Sequence, residues 1–297
     1  MDTIKKYLAL ENKVSLTIIE STELVEKARK IHDLTPTTTA ALGRLLTATA
    51  LLGVDLKNME DSITVQIKGD GPIGTMIAVS NKFPKVRAYI QNPHIELPLN
   101  SQGKIDVGKA VGKTGYLSIV KDIGLKKPYM GIVPLTTGEI AEDFAKYFAE
   151  SEQKPTAIAL GVLVDNNGVK KAGGYILSLM PDATDKIVTK LEENIKNIPS
   201  ISKILSDNDN LNDISKIITG DENARIIEEN ILPVYECNCS TEKMKNGLIS
   251  LGKSELEQIL KEESKIETVC NFCNKKYVFD KSQIEELLDK MQDWWNM

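Results

Sequence analysis

The chain has 297 residues, of which 41% are hydrophobic and 27% charged, a composition typical of folded globular proteins. Its formal net charge is -5, and only four of its 37 basic residues are arginine, which argues against binding of nucleic acid through a basic surface. No secretory segment follows Met1, and the longest nearly apolar stretch, Ala40 to Val54, is shorter than the roughly 20 residues of a membrane-spanning helix, so we expect a cytoplasmic protein without membrane association.

The pattern of residues 1–181 predicts one α+β core domain in which helices and sheet are mixed. Thr35-Pro36 suits the N-cap and first position of a helix, and the apolar residues that follow it recur at helical spacing. From Ile63 to Ile67, apolar and polar residues alternate along the chain, which predicts a half-buried strand. A second helix is predicted around Phe144. Further strands are predicted at 14–20, 75–80, 85–91, 116–121, 130–133, 157–164 and 173–179.

Three glycines in this domain, Gly69, Gly71 and Gly74, match the spacing of a dinucleotide-binding loop. That motif needs a helix directly after the loop, whereas a strand pattern follows here and Pro72 lies inside the loop. We therefore predict a hairpin turn in place of a nucleotide site.

Residues 182–230 predict a helical linker. Eleven acidic and six basic residues surround short apolar faces at helical spacing, with breaks at Pro199, 208–210 and Gly220. Helices this short need to dock on another surface to be stable. The pattern is compatible with a static connector and with a segment whose docking can be switched.

All four cysteines lie in the last part of the chain, as a Cys-x-Cys pair and a Cys-x-x-Cys pair: Cys237, Cys239, Cys270 and Cys273. Two close pairs on separate segments are typical of a structural zinc site with four thiolate ligands, which leaves no open position for hydrolytic catalysis. The Cys-x-Cys pair can also close as a small, strained disulfide ring. Unrelated buried cysteines and a thioredoxin-like motif fit less well, because no βαβ pattern precedes Cys270.

Residues 231–297 predict a small zinc-binding module. Ser254 with Glu257, and Asp280 with Gln283, suit the capping boxes of two helices, and a short strand is predicted at 275–279. The module has few large apolar side chains, so we expect bound metal to supply much of its folding free energy.

The cysteine spacing and the length resemble the thirty-three-kilodalton chaperonin family, the redox-regulated bacterial heat-shock holdases. The resemblance extends over essentially the whole chain. It is carried by the four cysteines and by these stretches: Thr39–Arg44, Ile63–Pro72, Gly115–Asp122, Ser151–Gln153, Ala157–Asp165 and Gly173–Pro181.

This resemblance implies a chaperone that works without ATP and is not an enzyme. One zinc ion per reduced chain is then held by all four cysteines, and the protein is inactive. Oxidation forms the disulfides Cys237–Cys239 and Cys270–Cys273, zinc leaves, and the module and linker unfold. The exposed surface binds unfolding client proteins, and the active form is a homodimer.

Two other functions are weighed against this one. A zinc knuckle that binds nucleic acid or protein would need a basic aromatic surface, for which Lys275, Lys276 and Tyr277 are the local candidates, yet residues 231–297 contain nine basic and twelve acidic residues. An enzyme within residues 1–181 would need catalytic partners for His32 or His94, and no such motif is found. We therefore expect no nucleic-acid partner and no catalytic residue.

Overall fold

The computed structural model describes residues 1–263 and 265–295, with side chains described up to Asp289. The chain divides into two compact units, an N-terminal unit from Met1 to Glu236 and a C-terminal unit that begins at Cys237. The predicted linker lies within the N-terminal unit. The division into a core domain (1–181), a linker (182–230) and a zinc-binding module (231–297) concerns function, and it stays a prediction. Within the described residues, no helix combines the length and apolar character needed to cross a bilayer.

The N-terminal unit contains two sheets. A five-stranded antiparallel sheet has the order β10-β1-β2-β9-β8. Its strands are β1 (Thr3–Ala9), β2 (Val14–Glu20), β8 (Thr156–Asp165), β9 (Gly168–Leu179) and β10 (Arg225–Ile231). A six-stranded sheet has the order β11-β5-β4-β3-β6-β7. Its strands are β3 (Ser62–Lys68), β4 (Thr75–Asn81), β5 (Lys85–Ile90), β6 (Tyr116–Asp122), β7 (Tyr129–Pro134) and β11 (Val234–Tyr235).

A helix that contacts both sheets, α2 (Pro36–Gly53), forms the centre of this unit. The predicted start of this helix is confirmed, because the Thr35 side chain accepts a hydrogen bond from the Thr38 backbone N–H and proline occupies the first turn. Nearly every residue of α2 is buried, as expected for a helix with apolar neighbours on two sides. Three further helices complete the fold around it: α1 (Thr22–His32), α3 (Val107–Val111) and α4 (Ala141–Glu150).

The glycine-rich loop lies in the hairpin between β3 and β4, as predicted. A Cβ atom on Gly69 would lie 2.0 Å from the carbonyl oxygen of Val111, and Gly71 donates its backbone N–H to the same oxygen. The glycines therefore allow the backbone of α3 to approach the turn closely, which is a packing role.

The linker forms three helices, α5 (Asp185–Asn197), α6 (Ile201–Asp207) and α7 (Leu211–Thr219). Their apolar faces share one buried cluster with the five-stranded sheet, in which Leu205, Ile214 and Ile218 are almost fully buried. The helices were predicted, but residues 225–230 are not helical as the linker prediction implied. They belong to strand β10, which pairs with β1 and leaves most of its own side chains exposed.

The C-terminal unit consists of α8 (Thr241–Ile249), α9 (Lys253–Glu262), β12 (Lys265–Val269), β13 (Lys276–Asp280) and α10 (Lys281–Trp295). The capping box at Asp280 and Gln283 is confirmed by reciprocal backbone-to-side-chain hydrogen bonds of 3.1 and 3.0 Å. The box predicted at Ser254 is wrong. Helix α9 begins at Lys253, because Gly252 is its N-cap and accepts the Leu256 backbone N–H.

Candidate metal centre

The four cysteines converge from two segments of the C-terminal unit. Cys237 and Cys239 lie on the extended segment before α8, and Cys270 and Cys273 lie on the turn between β12 and β13. Their four sulfur atoms all lie within 4.8 Å of one another. The sequence prediction that the two pairs meet is thus confirmed, and these residues are positioned to bind a metal ion.

The Cys-x-x-Cys turn is built by backbone hydrogen bonds to its first cysteine. The carbonyl oxygen of Cys270 accepts the N–H groups of Cys273 and Asn274, at 3.2 and 2.8 Å, and the Cys270 N–H is donated to Lys275. Asn274 has a φ of 56°, a left-handed conformation that asparagine tolerates better than most residues. This local geometry brings both side chains to one side of the turn.

The sulfur separations suit a tetrahedral ion. Sγ of Cys237 lies 3.7 Å from Sγ of Cys270, and Sγ of Cys239 lies 3.4 Å from Sγ of Cys273. Zinc bound to four thiolates at about 2.3 Å would place neighbouring sulfurs about 3.8 Å apart. Of the residues that the structure describes, no histidine or carboxylate belongs to the cluster. An all-sulfur donor set of this size fits zinc.

Tyr277 adds a polar contact to the cluster. Its hydroxyl group donates a hydrogen bond of 3.0 Å to Sγ of Cys239. Partial burial acts to raise the pKa of Cys239, but the Tyr277 hydroxyl and the adjacent thiols outweigh it and lower that pKa to about 7. Burial raises the pKa of Cys237 and that of Cys273. The thiol of Cys239 is therefore more acidic than the thiols of Cys237 and Cys273.

The cluster is part of the small core of the C-terminal unit. Cys270 is buried in this core with Tyr277 and Phe279 of β13, and the other three cysteines pack against it. Among the residues whose side chains are described, the core has few other members: Leu248, Leu256, Ile266, Ile284 and Leu287. Loss of the cluster would therefore remove contacts from most of the elements of this unit.

The residues considered for nucleic-acid binding and for catalysis each contact another side chain. His32 is buried and hydrogen bonded to Tyr235, and His94 is paired with Asp33 at 3.2 Å. Lys276 is paired with Glu267, and Lys275 lies over the ring of Tyr277 at 5.1 Å. Sequence reasoning missed the hydrogen bond of Tyr277 to Cys239. Alternation along β13, which buries Tyr277 and Phe279 together, is the pattern that places this tyrosine on the core side.

The chain is similar to proteins of one family over nearly its entire length. The family model described as Hsp33 protein matches residues 2–280. The 33 kDa chaperonin of Thermoanaerobacter sp. (strain X514) is 47% identical over 97% of this chain and 98% of its own. The 33 kDa chaperonin of Clostridioides difficile (strain 630) is 44% identical over 90% of this chain and 91% of its own. The crystal structure of the 33 kDa chaperonin from Thermotoga maritima superposes with a TM-score of 0.90 at 42% identity, covering 98% of this chain and 99% of that one.

The matches name the same family, and each covers most of the chain. The 33 kDa chaperonins are named as chaperones, proteins that bind client proteins, and form a class that is not enzymatic. The chain belongs to the Hsp33 family of 33 kDa chaperonins.

Proposed function

We propose that this protein is a redox-regulated, ATP-independent holdase of the cytoplasm. In the reduced state one zinc ion is held by Cys237, Cys239, Cys270 and Cys273, and the chaperone is inactive. Oxidation activates it to bind unfolding or oxidatively damaged proteins, as a homodimer, and to prevent their aggregation. The observation that carries the proposal is the convergence of four thiols within 4.8 Å in a unit whose own core is small.

Bound zinc would hold two chain segments together and supply folding free energy, on the order of 10 kcal/mol for comparable sites. The thiols do the switching chemistry. Each disulfide forms when two cysteines lose two electrons, and with hydrogen peroxide as the oxidant the peroxide bond is cleaved and two waters are produced. Formation of Cys237–Cys239 and Cys270–Cys273 leaves no thiolate to hold the ion. The two segments are then no longer joined, and the small core is insufficient to keep the unit folded.

The linker is the second element of the switch. Its helices are stabilised by one apolar cluster on the five-stranded sheet, and α5 has only Leu191 fully buried. Short helices that depend on docking are lost readily when the adjoining chain is released. Undocking of the linker would expose both its apolar faces and the sheet beneath, and an apolar surface of that kind binds unfolded chains.

The test compares two states of the same protein. Light scattering from a chemically unfolded client is followed with the protein reduced and zinc-loaded, or treated with peroxide and a chelator. We expect suppression of scattering only by the oxidised protein, and loss of suppression after reductant and zinc are restored. A variant with serine at all four cysteines controls for unspecific effects of peroxide, because its behaviour should not depend on the oxidant. Equal suppression by the reduced, zinc-loaded protein would refute the switch.

A further inference from the structure

The segment from Arg225 to Glu236 lies across an edge of each sheet in the N-terminal unit. Its first part, β10, pairs with β1 at the edge of the five-stranded sheet. Its last part, β11, pairs with β5 at the edge of the six-stranded sheet. Both pairings consist of main-chain hydrogen bonds to an edge strand, a mode of binding in which an extended peptide is added to a sheet.

The attachment of β10 depends little on its side chains. Five of its seven residues are exposed, and the other two, Ile226 and Ile231, are half-buried. The register with β1 is interrupted twice, around Lys6. A pairing made by backbone groups, with imperfect register and few buried side chains, is one that polypeptides of many sequences can make.

The attachment of β11 is more specific, and it centres on Tyr235. The backbone N–H groups of Val234 and Glu236 are donated to the carbonyl oxygens of Pro84 and Val86, at 2.9 and 3.0 Å. The Tyr235 side chain is buried, and its hydroxyl group lies 3.3 Å from the backbone nitrogen of Ala88 and 3.1 Å from its carbonyl oxygen.

These contacts make the phenol a substitute for the next residue of the added strand. The hydroxyl group accepts the Ala88 N–H and donates to the Ala88 carbonyl oxygen, so that both backbone groups of this residue are satisfied where β11 has ended. The Nε2 atom of His32 lies 3.0 Å from the same hydroxyl oxygen. Because a phenol has one donor and two acceptor positions, His32 donates to it when the hydroxyl hydrogen points to Ala88.

The two edges also have a charge preference. Lys5 is paired with Glu229 at 3.6 Å, Lys6 with Glu228 at 3.9 Å, and Lys85 with Glu236 at 2.7 Å. A fourth lysine, Lys27, donates to the carbonyl oxygen of Tyr235 at 3.0 Å. Four lysines thus line the path of the segment and face its acidic side chains or a carbonyl oxygen.

We propose that the edges of β1 and β5 form a binding site for extended, acidic, tyrosine-bearing segments of client polypeptides, and that Arg225–Glu236 occupies this site as an internal substitute in the inactive protein. This inference rests on the proposed function, because the segment has to leave before a client can enter. It adds a mode of binding, strand addition at two edges, to the exposure of apolar surface. A client would be held by main-chain hydrogen bonds, with its tyrosine in the position of Tyr235.

The test uses a fluorescent synthetic peptide with the sequence of Arg225–Glu236 and the full-length protein in its oxidised, metal-free form. We expect binding at least tenfold tighter than to the reduced, metal-loaded protein. A peptide N-methylated at the nitrogens of Val234 and Glu236 keeps its side chains but cannot donate to the carbonyl oxygens of Pro84 and Val86, and it should bind about tenfold more weakly. Replacement of its tyrosine by phenylalanine should weaken binding about fivefold, the value of roughly one hydrogen bond.

A double variant separates failure of this inference from failure of the redox switch. Val234→Pro with Tyr235→Ala removes the Val234 N–H and the phenol, and so frees the β5 edge without oxidation. In the reduced state this variant should bind the peptide, with protection of β5 amides from hydrogen exchange. If the variant binds the peptide but oxidised wild type does not, the edge of β5 is a binding site. Oxidation then does not release the segment Arg225–Glu236 from it.

Absence of binding to both proteins, or equal binding of the N-methylated peptide, would overturn the inference. If circular dichroism shows that the double variant is unfolded, competition provides the second measurement. Excess wild-type peptide should then reduce the suppression of client aggregation by the oxidised protein, and the N-methylated peptide should not. Equal effects of the two peptides, or none, would again overturn it.

Discussion

The hydroxyl group of Tyr7 donates a hydrogen bond of 3.0 Å to Oδ1 of Asn212, which joins the fully buried side chain of strand β1 to the first turn of linker helix α7. The same oxygen accepts a hydrogen bond of 3.3 Å from Lys5. Strand β1 also pairs with β10. One strand therefore contacts two separate parts of the linker, α7 and β10. A weakened contact at β1 should destabilise both.

Tyr7→Phe is expected to loosen the linker without unfolding the sheet. The substitution keeps the aromatic ring in the core and removes one hydrogen bond, a loss of about 1 kcal/mol. Amides of α7 should exchange with solvent about fivefold faster, and the reduced protein should acquire weak suppression of client aggregation. Hydrogen exchange followed by mass spectrometry measures the first effect, and light scattering the second.

The matched control is Tyr116→Phe, because the Tyr116 hydroxyl accepts a hydrogen bond of 3.2 Å from Gln66 within the other sheet and has no role at the linker. It should leave exchange in α7 unchanged. If both variants altered α7 equally, the effect would be a general loss of stability and not a release of the linker.

Asp2 is expected to make the stability of the N-terminal unit depend on pH. Its side chain is buried and accepts the backbone N–H groups of Glu23 and Leu24, at 2.9 and 2.7 Å, in the first turn of α1. Burial raises the pKa of this carboxyl group to about 6 despite the two hydrogen bonds. Between its ordinary pKa and this value the folded protein retains a proton that the unfolded chain has lost. The stabilisation is thus complete below about pH 4 and falls as the pH rises to 6.

Comparison with Asp2→Asn isolates this contribution. The free energy of unfolding of wild type relative to the variant should decrease by roughly 3 kcal/mol between pH 4 and 7. Urea titrations at four pH values, followed by circular dichroism, measure it. Asp61→Asn is the control. The advantage of wild type over this variant should change with pH in the opposite direction, because the Asn58 backbone N–H lowers the pKa of Asp61. A wild-type advantage over Asp2→Asn that did not change with pH would contradict the argument.

Helix α2 and the hairpins were predictable because their signals are local. Thr35 and Pro36 specify a helix start, and alternation in β3 follows from one buried face. Strands β1 and β10 were missed for a physical reason. In β1 the buried positions Ile4 and Tyr7 are three residues apart, which breaks the period of two, and β10 is held by its backbone with its side chains exposed.

The four cysteines could be grouped from spacing alone because ligand pairs on short segments have few other uses. The contacts of Tyr277 and Tyr235 could not, because each depends on a partner that only the tertiary fold brings near. Tyr277 reaches a sulfur 38 positions away, and Tyr235 reaches Ala88 across 147. Sequence patterns indicate which face of a strand is buried, but they do not indicate which polar atom the buried side chain will contact.

Replacement of any one of the four cysteines by serine should abolish stoichiometric zinc binding. If four thiolates share the free energy of a structural site, each loss costs about 3 kcal/mol, or roughly a hundredfold in affinity. The C-terminal unit should then lose protection from hydrogen exchange, while strands of the N-terminal sheets keep it. Tyr277→Phe is the matched control, since it keeps four sulfurs and should still bind one zinc ion. Tight one-to-one binding by a serine variant would show that fewer than four cysteines hold the metal.

The pairing of the disulfides distinguishes an unfolding switch from a locking one. The sulfur pairs at 3.7 and 3.4 Å join the two segments, Cys237 to Cys270 and Cys239 to Cys273. Disulfides of this kind would keep the segments together and preserve the fold of the unit. If zinc leaves and the unit unfolds during oxidation, the nearest partner along the chain is favoured, because closing a short loop costs less entropy than closing one of more than thirty residues.

Trypsin separates the two cases without further variants. Cleavage after Arg225, Lys243, Lys265 and Lys275 yields one peptide with Cys237 and Cys239 and another with Cys270 and Cys273. In the oxidised protein we expect each peptide to lose two hydrogens and to remain separate from the other. A cross-linked pair of peptides would instead mean that oxidation ties the segments together. Order in the C-terminal unit would then survive the loss of zinc, and activation by unfolding could not follow from the chemistry of these thiols.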